Sequence, residues 1–98
     1  MASRFAERDF QVDDRLVDAA HGDVDAYYDL GMAYSVGYAG TAVDMIQAHK
    51  WFNLAAMAGV ARGQERRAEI AEEMSGREIA EAQRQARAWL ALTSRAAA

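Results

Sequence analysis

Hydrophobic and small residues recur at three- and four-residue spacing along most of the chain, which is the periodicity of helices that bury one face. The pattern predicts a short helix from Asp13 or Asp14 to Gly22, followed by four longer helices. These four are predicted over residues 24–36, 45–58, 60–74 and 76–92. The predicted fold class is therefore all-α, with four main helices and a short N-terminal helix.

The two ends of the chain lack this periodicity. Residues 1–12 mix acidic, basic and apolar side chains, so we predict a flexible arm there. Residues 93–98 are predicted to fray as a short tail. The helical domain should accordingly occupy residues 13–92.

Helix-capping residues stand where the predicted helices begin. Asp23 is a candidate N-cap for the helix over residues 24–36, and Gly22 before it is a candidate left-handed helix stop. Asp44 with Gln47, and Ser75 with Glu78, have the three-residue spacing of capping boxes. The segment over residues 35–43 contains two glycines and no period, which predicts a loop.

Each predicted helix has a face that should be buried. Many of these positions are small, which favours close packing of helices. The predicted faces are Tyr27, Leu30, Gly31 and Tyr34; Met45, Ala48, Trp51, Phe52, Ala55, Ala56 and Gly59; Ala61, Gln64, Ala68, Ala71 and Met74; and Ile79, Ala82, Ala86 and Trp89.

Two segments of the chain repeat at nearly one period. Residues 56–59 (AMAG) align with residues 19–22 (AAHG) at an offset of 37, and residues 86–89 (ARAW) align with residues 48–51 (AHKW) at an offset of 38. Two matches at almost the same offset indicate that one helix pair occurs twice in the chain.

About a dozen positions of this pair stand in a distinctive order and spacing: Gly22, Ala26, Leu30, Gly31, Tyr34, Gly37, Gly40, Val43, Asp44, Ala48, Trp51, Ala55, Ala56 and Gly59. Trp89 stands at the position equivalent to Trp51. In these positions the chain resembles a known family, the SEL-one-like repeat, which is related to the tetratricopeptide repeat. The resemblance covers residues 19–59 specifically and weakens over residues 60–90, where the last helix looks like the closing helix of bacterial members. It implies a short α/α solenoid of antiparallel helix pairs that binds proteins or peptides as an adaptor or scaffold.

The charge of the chain argues against nucleic acid as a partner. The formal net charge is −4, and the basic residues form no excess that would attract phosphates. Residues 1–59 carry −5 and residues 60–98 carry +1, so the charge is uneven along the chain. With no apolar run near the start, we expect no membrane association and a cytoplasmic location.

The sequence predicts no metal, no cofactor and no enzymatic activity. His21 and His49 are the only histidines, and there is no cysteine; His21 is expected at a helix end and His49 on the polar side of its helix. The carboxylate pairs Asp13-Asp14 and Glu72-Glu73 are interpreted as solvated charges. Some cysteine-rich relatives of the repeat family are associated with β-lactams, so lactam or amide hydrolysis is a remote alternative, for which Ser35, Thr41, Ser75 or Ser94 would need a histidine beside it.

The most informative candidate face is on the helix over residues 24–36. Asp25, Tyr28, Asp29 and Met32 share one side of that helix, away from Tyr27, Leu30 and Tyr34. In the resembled family the first helix of each pair lines the concave surface, which implies that these four residues face a ligand. They would suit a basic or amphipathic peptide. The alternatives are an ordinary solvated face and a face covered by residues 1–12.

One further expectation concerns assembly. Repeat units bury their faces against neighbours, and about three units are usually needed for stability. This chain has one full unit, a degenerate second unit and half a unit before them. The open ends must be covered by the terminal segments, by a partner or by a second copy, so a self-assembling homodimer without a separate ligand is the second functional hypothesis.

Overall fold

The structure, a computed structural model, describes residues 11–38 and 40–97. Within these ranges it contains helices and no strand, as the sequence predicts. The helices are α1 (Val12–Ala20), α2 (Val24–Val36), α3 (Met45–Met57), α4 (Ala61–Ala71) and α5 (Gly76–Ala97). None of these helices is long and apolar enough to cross a membrane.

The capping residues place the helix starts close to where the sequence predicts them. The Asp23 carboxylate accepts a hydrogen bond from the Asp25 backbone N–H at 3.0 Å. Ser75 and Glu78 form the complete capping box, each side chain pairing with the other residue's backbone N–H. Asp44 accepts from the Gln47 backbone N–H at 3.1 Å, so only half of the second capping box is formed.

The other half of that box is replaced by a contact between helices. The Gln47 side chain donates through Nε2 to Gln85 Oε1 at 2.7 Å, which joins α3 to α5. The Gln85 amide in turn donates to Glu81 Oε2 at 2.8 Å. Hydrogen bonds from Arg84 and Gln85 lower the pKa of Glu81 to about 2. A chain of polar side chains therefore links the start of α3 to the exposed side of α5.

Three predicted boundaries differ from the observed ones. Helix α5 continues to Ala97, five residues beyond the predicted end at Leu92 and through most of the expected tail. Helix α4 ends at Ala71, where successive N–H groups bond three residues back instead of four. Of the predicted arm, residues 1–10 lie outside the described residues, whereas Val12 begins α1 and is buried.

The predicted buried face of α4 is wrong over most of the helix. Ala61, Gln64 and Ala68 are exposed, whereas Gly63 is buried and Arg67 and Ile70 are partly buried. Ala71 and Met74, at the end of the predicted face, are partly buried. The reason is the close approach at Gly63, where an added Cβ would lie 2.8 Å from Ala55 Cβ. The position at which a backbone can come nearest to α3 therefore decides which side of α4 faces inward.

Helix α3 is at the centre of the fold, because it packs against α2, α4 and α5, while α1 packs against α2. Its side chains Trp51, Phe52 and Leu54 are almost fully buried. The core that forms around them is mainly small, as the sequence predicts, and includes Ala19, Ala26, Ala33, Ala48, Ala55, Ala82 and Ala86 together with Leu30.

Helices α2 and α3 are in close contact at Gly31. Gly31 of α2 has no side chain, and the ring of Phe52 occupies the space beside it. A Cβ placed on Gly31 would lie 2.5 Å from Phe52 Cδ1 and 2.6 Å from Cε1, closer than real atoms pack. We expected a neighbouring backbone to cross closely at Gly31, but the group that fills this space is an aromatic side chain.

The turns after α1 and α3 have the same backbone conformation at an offset of 37 residues. Gly22 has φ 91° and Gly59 has φ 98°, both in the left-handed region that favours glycine. In each turn the following residue bonds five residues back, from the Asp23 N–H to the Asp18 carbonyl and from the Val60 N–H to the Ala55 carbonyl. The repetition seen in the sequence is thus also present in the backbone.

The contact at Gly31 generates a stability prediction. Gly31→Ala should lower the free energy of unfolding. Overpacking a core destabilises a protein by about 1–3 kcal/mol, whereas the higher helix propensity of alanine stabilises it by less than about 1 kcal/mol. Gly76→Ala is the matched control, since an added Cβ there meets nothing within 4 Å. Urea unfolding followed by circular dichroism measures both, and equal midpoints for the two variants would contradict the proposed tight crossing.

Candidate partner-binding face

The four residues predicted to bind a partner lie on one side of α2 and differ in exposure. Asp25 is exposed, whereas Tyr28, Asp29 and Met32 are partly buried. The buried positions of the same helix are Ala26, Tyr27, Leu30, Gly31 and Ala33. We call the side formed by Asp25, Tyr28, Asp29 and Met32 the α2 face.

Asp29 is engaged within the protein. Its Oδ2 lies 3.5 Å from Arg15 Nη1, and Arg15 also pairs with Asp18 at 2.9 Å. Burial raises the pKa of the Asp29 carboxyl, and Arg15 opposes that shift. Asp29 therefore helps to hold α1 against α2, and Asp25 is the more accessible carboxylate of the face.

Tyr28 joins three helices. Its ring lies 5.5 Å from the ring of Phe52 on α3, measured between centroids. From α4, the Arg62 guanidinium carbon lies 5.0 Å from the centroid of the Tyr28 ring. Arg66 Nε donates to the Tyr28 hydroxyl at 3.5 Å. The α2 face is thus continuous with two arginines of α4, which the sequence analysis did not associate with it.

A third element borders the same face. Tyr38, in the loop after α2, is 41% exposed. Burial raises the pKa of the Tyr38 hydroxyl, and the charges of Asp29 and Tyr28 raise it further. The neighbourhood of Tyr28 therefore contains two phenols, carboxylates from α2 and guanidinium groups from α4.

The two tryptophans were predicted to be structural, and they form one cluster in the core. Trp51 is 1% exposed, and its ring meets Trp89 edge-on with centroids 4.8 Å apart. Tyr27 stacks on the other side of Trp51 at 6.0 Å. The Lys50 ammonium lies 4.5 Å from the centroid of the Trp51 ring. Burial lowers the pKa of Lys50. These contacts dock α5 on α3.

The prediction that His49 lies on a polar side of its helix is wrong. His49 is 2% exposed, because α3 is surrounded by three other helices and has little free surface. Its Nδ1 is buried without a hydrogen-bond partner in the described part of the chain. Burial lowers the pKa of His49, and the charge of Arg67 lowers it further.

The positions 37 residues before His49 and Arg67 are apolar. They are Val12 and Leu30, and both are buried. His49 is buried like Val12, whereas Arg67 is only partly buried. Because Val12 was predicted to lie in the N-terminal arm, this offset did not indicate from the sequence that His49 is buried.

An open cleft of about 610 Å³ lies where the turn after α1 meets the C-terminal part of α5. It brings His21 and Ser94 into one surface, a proximity that sequence distance did not suggest. No hydrogen bond joins the two side chains, and the neighbouring Thr93 hydroxyl donates to the Trp89 carbonyl. The cleft thus lacks the nucleophile–base contact that the hydrolase alternative requires.

The described residues contain no cluster of histidine and carboxylate side chains that could hold a metal ion. Comparison with known proteins also provides no assignment: no family model, no curated protein and no solved structure matches the chain.

The burial of His49 generates a prediction for pH dependence. The lowered pKa means that the folded state holds His49 neutral, whereas the unfolded chain takes up a proton below the ordinary pKa of 6.5. The stability contributed by this residue is therefore present above pH 6.5 and is lost as the pH falls. The loss can reach about 1.4 kcal/mol per pH unit for one proton.

Urea unfolding between about pH 7 and pH 5 tests this expectation, with each free energy of unfolding compared at equal pH. His49→Gln should flatten the dependence on pH, even if it lowers stability overall. His21→Gln is the matched control, because His21 is exposed at a helix end. A dependence that is unchanged by His49→Gln would contradict the prediction.

Proposed function

We propose that this chain is a non-enzymatic protein-interaction module, an adaptor or scaffold that binds a protein or peptide through the α2 face. In this proposal the fold is a short α/α solenoid of antiparallel helix pairs of the SEL-one-like kind. The cytoplasmic, bacterial setting is part of the same proposal. The observation that carries it is the contrast on α2 itself, where Leu30 and Gly31 are buried whereas the α2 face is exposed at Asp25 and partly exposed at its other three residues.

The solenoid part is supported by equivalent positions in the two units. The turns at Gly22 and Gly59 share one conformation at the 37-residue offset. Ala26 of α2 and Gly63 of α4 stand at that same offset, and both are buried small residues. Trp51 and Trp89 are in contact at an offset of 38. Such regularity is expected when a unit packs repeatedly against its neighbour.

The binding part is supported by the composition of the α2 face. Tyr28 and Met32 offer partly exposed aromatic and thioether groups, which are enriched at protein interfaces. Asp25 provides an exposed carboxylate beside them. By contrast, Gly31, Leu30 and Trp51 are buried in the fold and have little surface left for a partner.

Surface variants test this proposal without disturbing the internal contacts of Tyr28 and Asp29. Asp25→Lys and Met32→Glu should keep the far-UV spectrum and the urea midpoint but lose captured partners by more than tenfold. Affinity capture from the native cell, with the whole chain as bait and quantitative mass spectrometry as the readout, measures the loss. The expected size corresponds to about 1.4 kcal/mol or more of binding energy.

The chain contains a matched control for each change. Glu73→Lys alters an exposed carboxylate outside α2, and Met57→Glu alters a methionine that is 60% exposed at the end of α3. Both controls should retain the partners of the unmodified chain. If the Asp25 and Met32 variants capture the same proteins as these controls, the α2 face is not the binding surface.

A second candidate function, the self-assembling homodimer, is favoured by the opposite charges of two outer helix faces. The exposed side of α1 is acidic around a valine that is 56% exposed. The exposed side of α5 carries three arginines, of which Arg84 is paired with Glu81, together with alanines and a leucine that is 62% exposed. The α1 residues are Asp13, Asp14 and Val17, and the α5 residues are Arg77, Ala80, Arg84, Arg87, Ala88, Ala91 and Leu92.

Light scattering at micromolar concentration tests this second candidate. If the homodimer forms, the protein should be a dimer at low salt and should dissociate at high salt, because salt screens the attraction between exposed charges. Arg87→Glu and Asp14→Lys should each give a monomer, and an equimolar mixture of the two should associate again. A monomer at both salt concentrations would exclude the homodimer.

A further inference from the structure

We infer that the partner of the α2 face carries a carboxylate that binds Arg62, as well as the basic group expected to bind Asp25. This inference rests on the proposed function and specifies the chemistry of the partner. The occupant is a peptide segment in which an acidic and a basic side chain flank an apolar one. Helical spacing within α2 indicates only a basic or amphipathic peptide, because it does not include Arg62 of α4.

The position of Arg62 carries the first step. Its guanidinium carbon lies 5.0 Å from the centroid of the Tyr28 ring, so α4 contributes a cation to the edge of the α2 face. Arg62 is exposed and forms no ion pair within the described residues. A planar guanidinium held against an aromatic ring keeps its N–H groups available for a carboxylate.

The neighbouring Arg66 contributes less to the selection of charge. Its Nη1 pairs with Glu69 Oε1 at 3.2 Å, and its Nε donates to the Tyr28 hydroxyl. The positive charge of Arg66 is therefore partly balanced by Glu69 of the same helix. Its role is to hold the Tyr28 hydroxyl between α2 and α4, which fixes the ring on which Arg62 stacks.

The opposite charges of Asp25 and Arg62 are both found next to Tyr28, one on α2 and one on α4. Asp25 is exposed on α2 near its N-terminus, Tyr28 follows one turn later, and Arg62 lies across the Tyr28 ring on α4. The negative charge of Asp29 is partly balanced by Arg15, so Asp29 contributes less than Asp25 to selecting the charge of the partner. A segment with one sign of charge throughout would meet repulsion at one of the two sides.

Panning a phage library of short random peptides against the whole immobilised chain tests the inference. Peptides whose binding is lost in Asp25→Lys and Met32→Glu should be enriched in both acidic and basic residues around an apolar residue. For a synthetic copy of one such peptide, Arg62→Ala should weaken binding about tenfold, and Arg62→Lys should weaken it less. Arg77→Ala, on an exposed part of α5, is the matched control and should leave binding unchanged.

A charge exchange distinguishes a direct contact from a structural effect. Replacing the acidic residue of the peptide by lysine should weaken binding to the unmodified chain, and Arg62→Glu should restore it. The inference is overturned if the selected peptides depend on Asp25 and Met32 but are not enriched in acidic residues. It is also overturned if they bind the Arg62→Ala variant as tightly as the unmodified chain. In both cases the proposed function still stands. If no selected peptide depends on Asp25 and Met32, the proposed function fails as well.

Discussion

The packing of Phe52 against Gly31 is the contact on which the rest of this structure depends. It brings α2 and α3 so close together that one helix must lack a side chain at the crossing. The same Phe52 ring also contacts the ring of Tyr28, and the backbone carbonyl of Phe52 lies beside Gly63 of α4. One residue of α3 therefore lies at the contacts with both α2 and α4. With so much alanine in the core, few other side chains are large enough to do this.

Most of the fold could be predicted from the sequence because its signals are local. The periodicity located the helices, and Asp23, Asp44 and Ser75 marked three of the starts through hydrogen bonds to nearby backbone groups. The face of α4 could not be predicted, because Ile70 is its only large apolar residue and the helix therefore has no dominant apolar stripe. Its orientation is decided by where the α3 backbone leaves room, at Gly63, and this is a property of the pair of helices.

The candidate site was predictable only in part, for a related reason. Helical spacing correctly grouped Asp25, Tyr28, Asp29 and Met32 on one side of α2. It could not reveal that Arg15 balances Asp29 or that Arg62 stacks on Tyr28, because both contacts join separate helices. The burial of His49 was not predicted because imidazole is polar on sequence scales, whereas its burial follows from the three helices that pack around α3. Periodicity within one helix cannot show how many neighbours that helix has.

The cluster of two tryptophans has a consequence for how the protein can be observed. Both tryptophans of the chain lie in a single contact between α3 and α5, one of them almost fully buried and both within 6 Å of a lysine ammonium. The intrinsic fluorescence of the molecule therefore originates almost entirely at the junction where its last helix docks. A change in emission would therefore report the separation of α5 from α3, which makes the docking of the last helix visible without an added label.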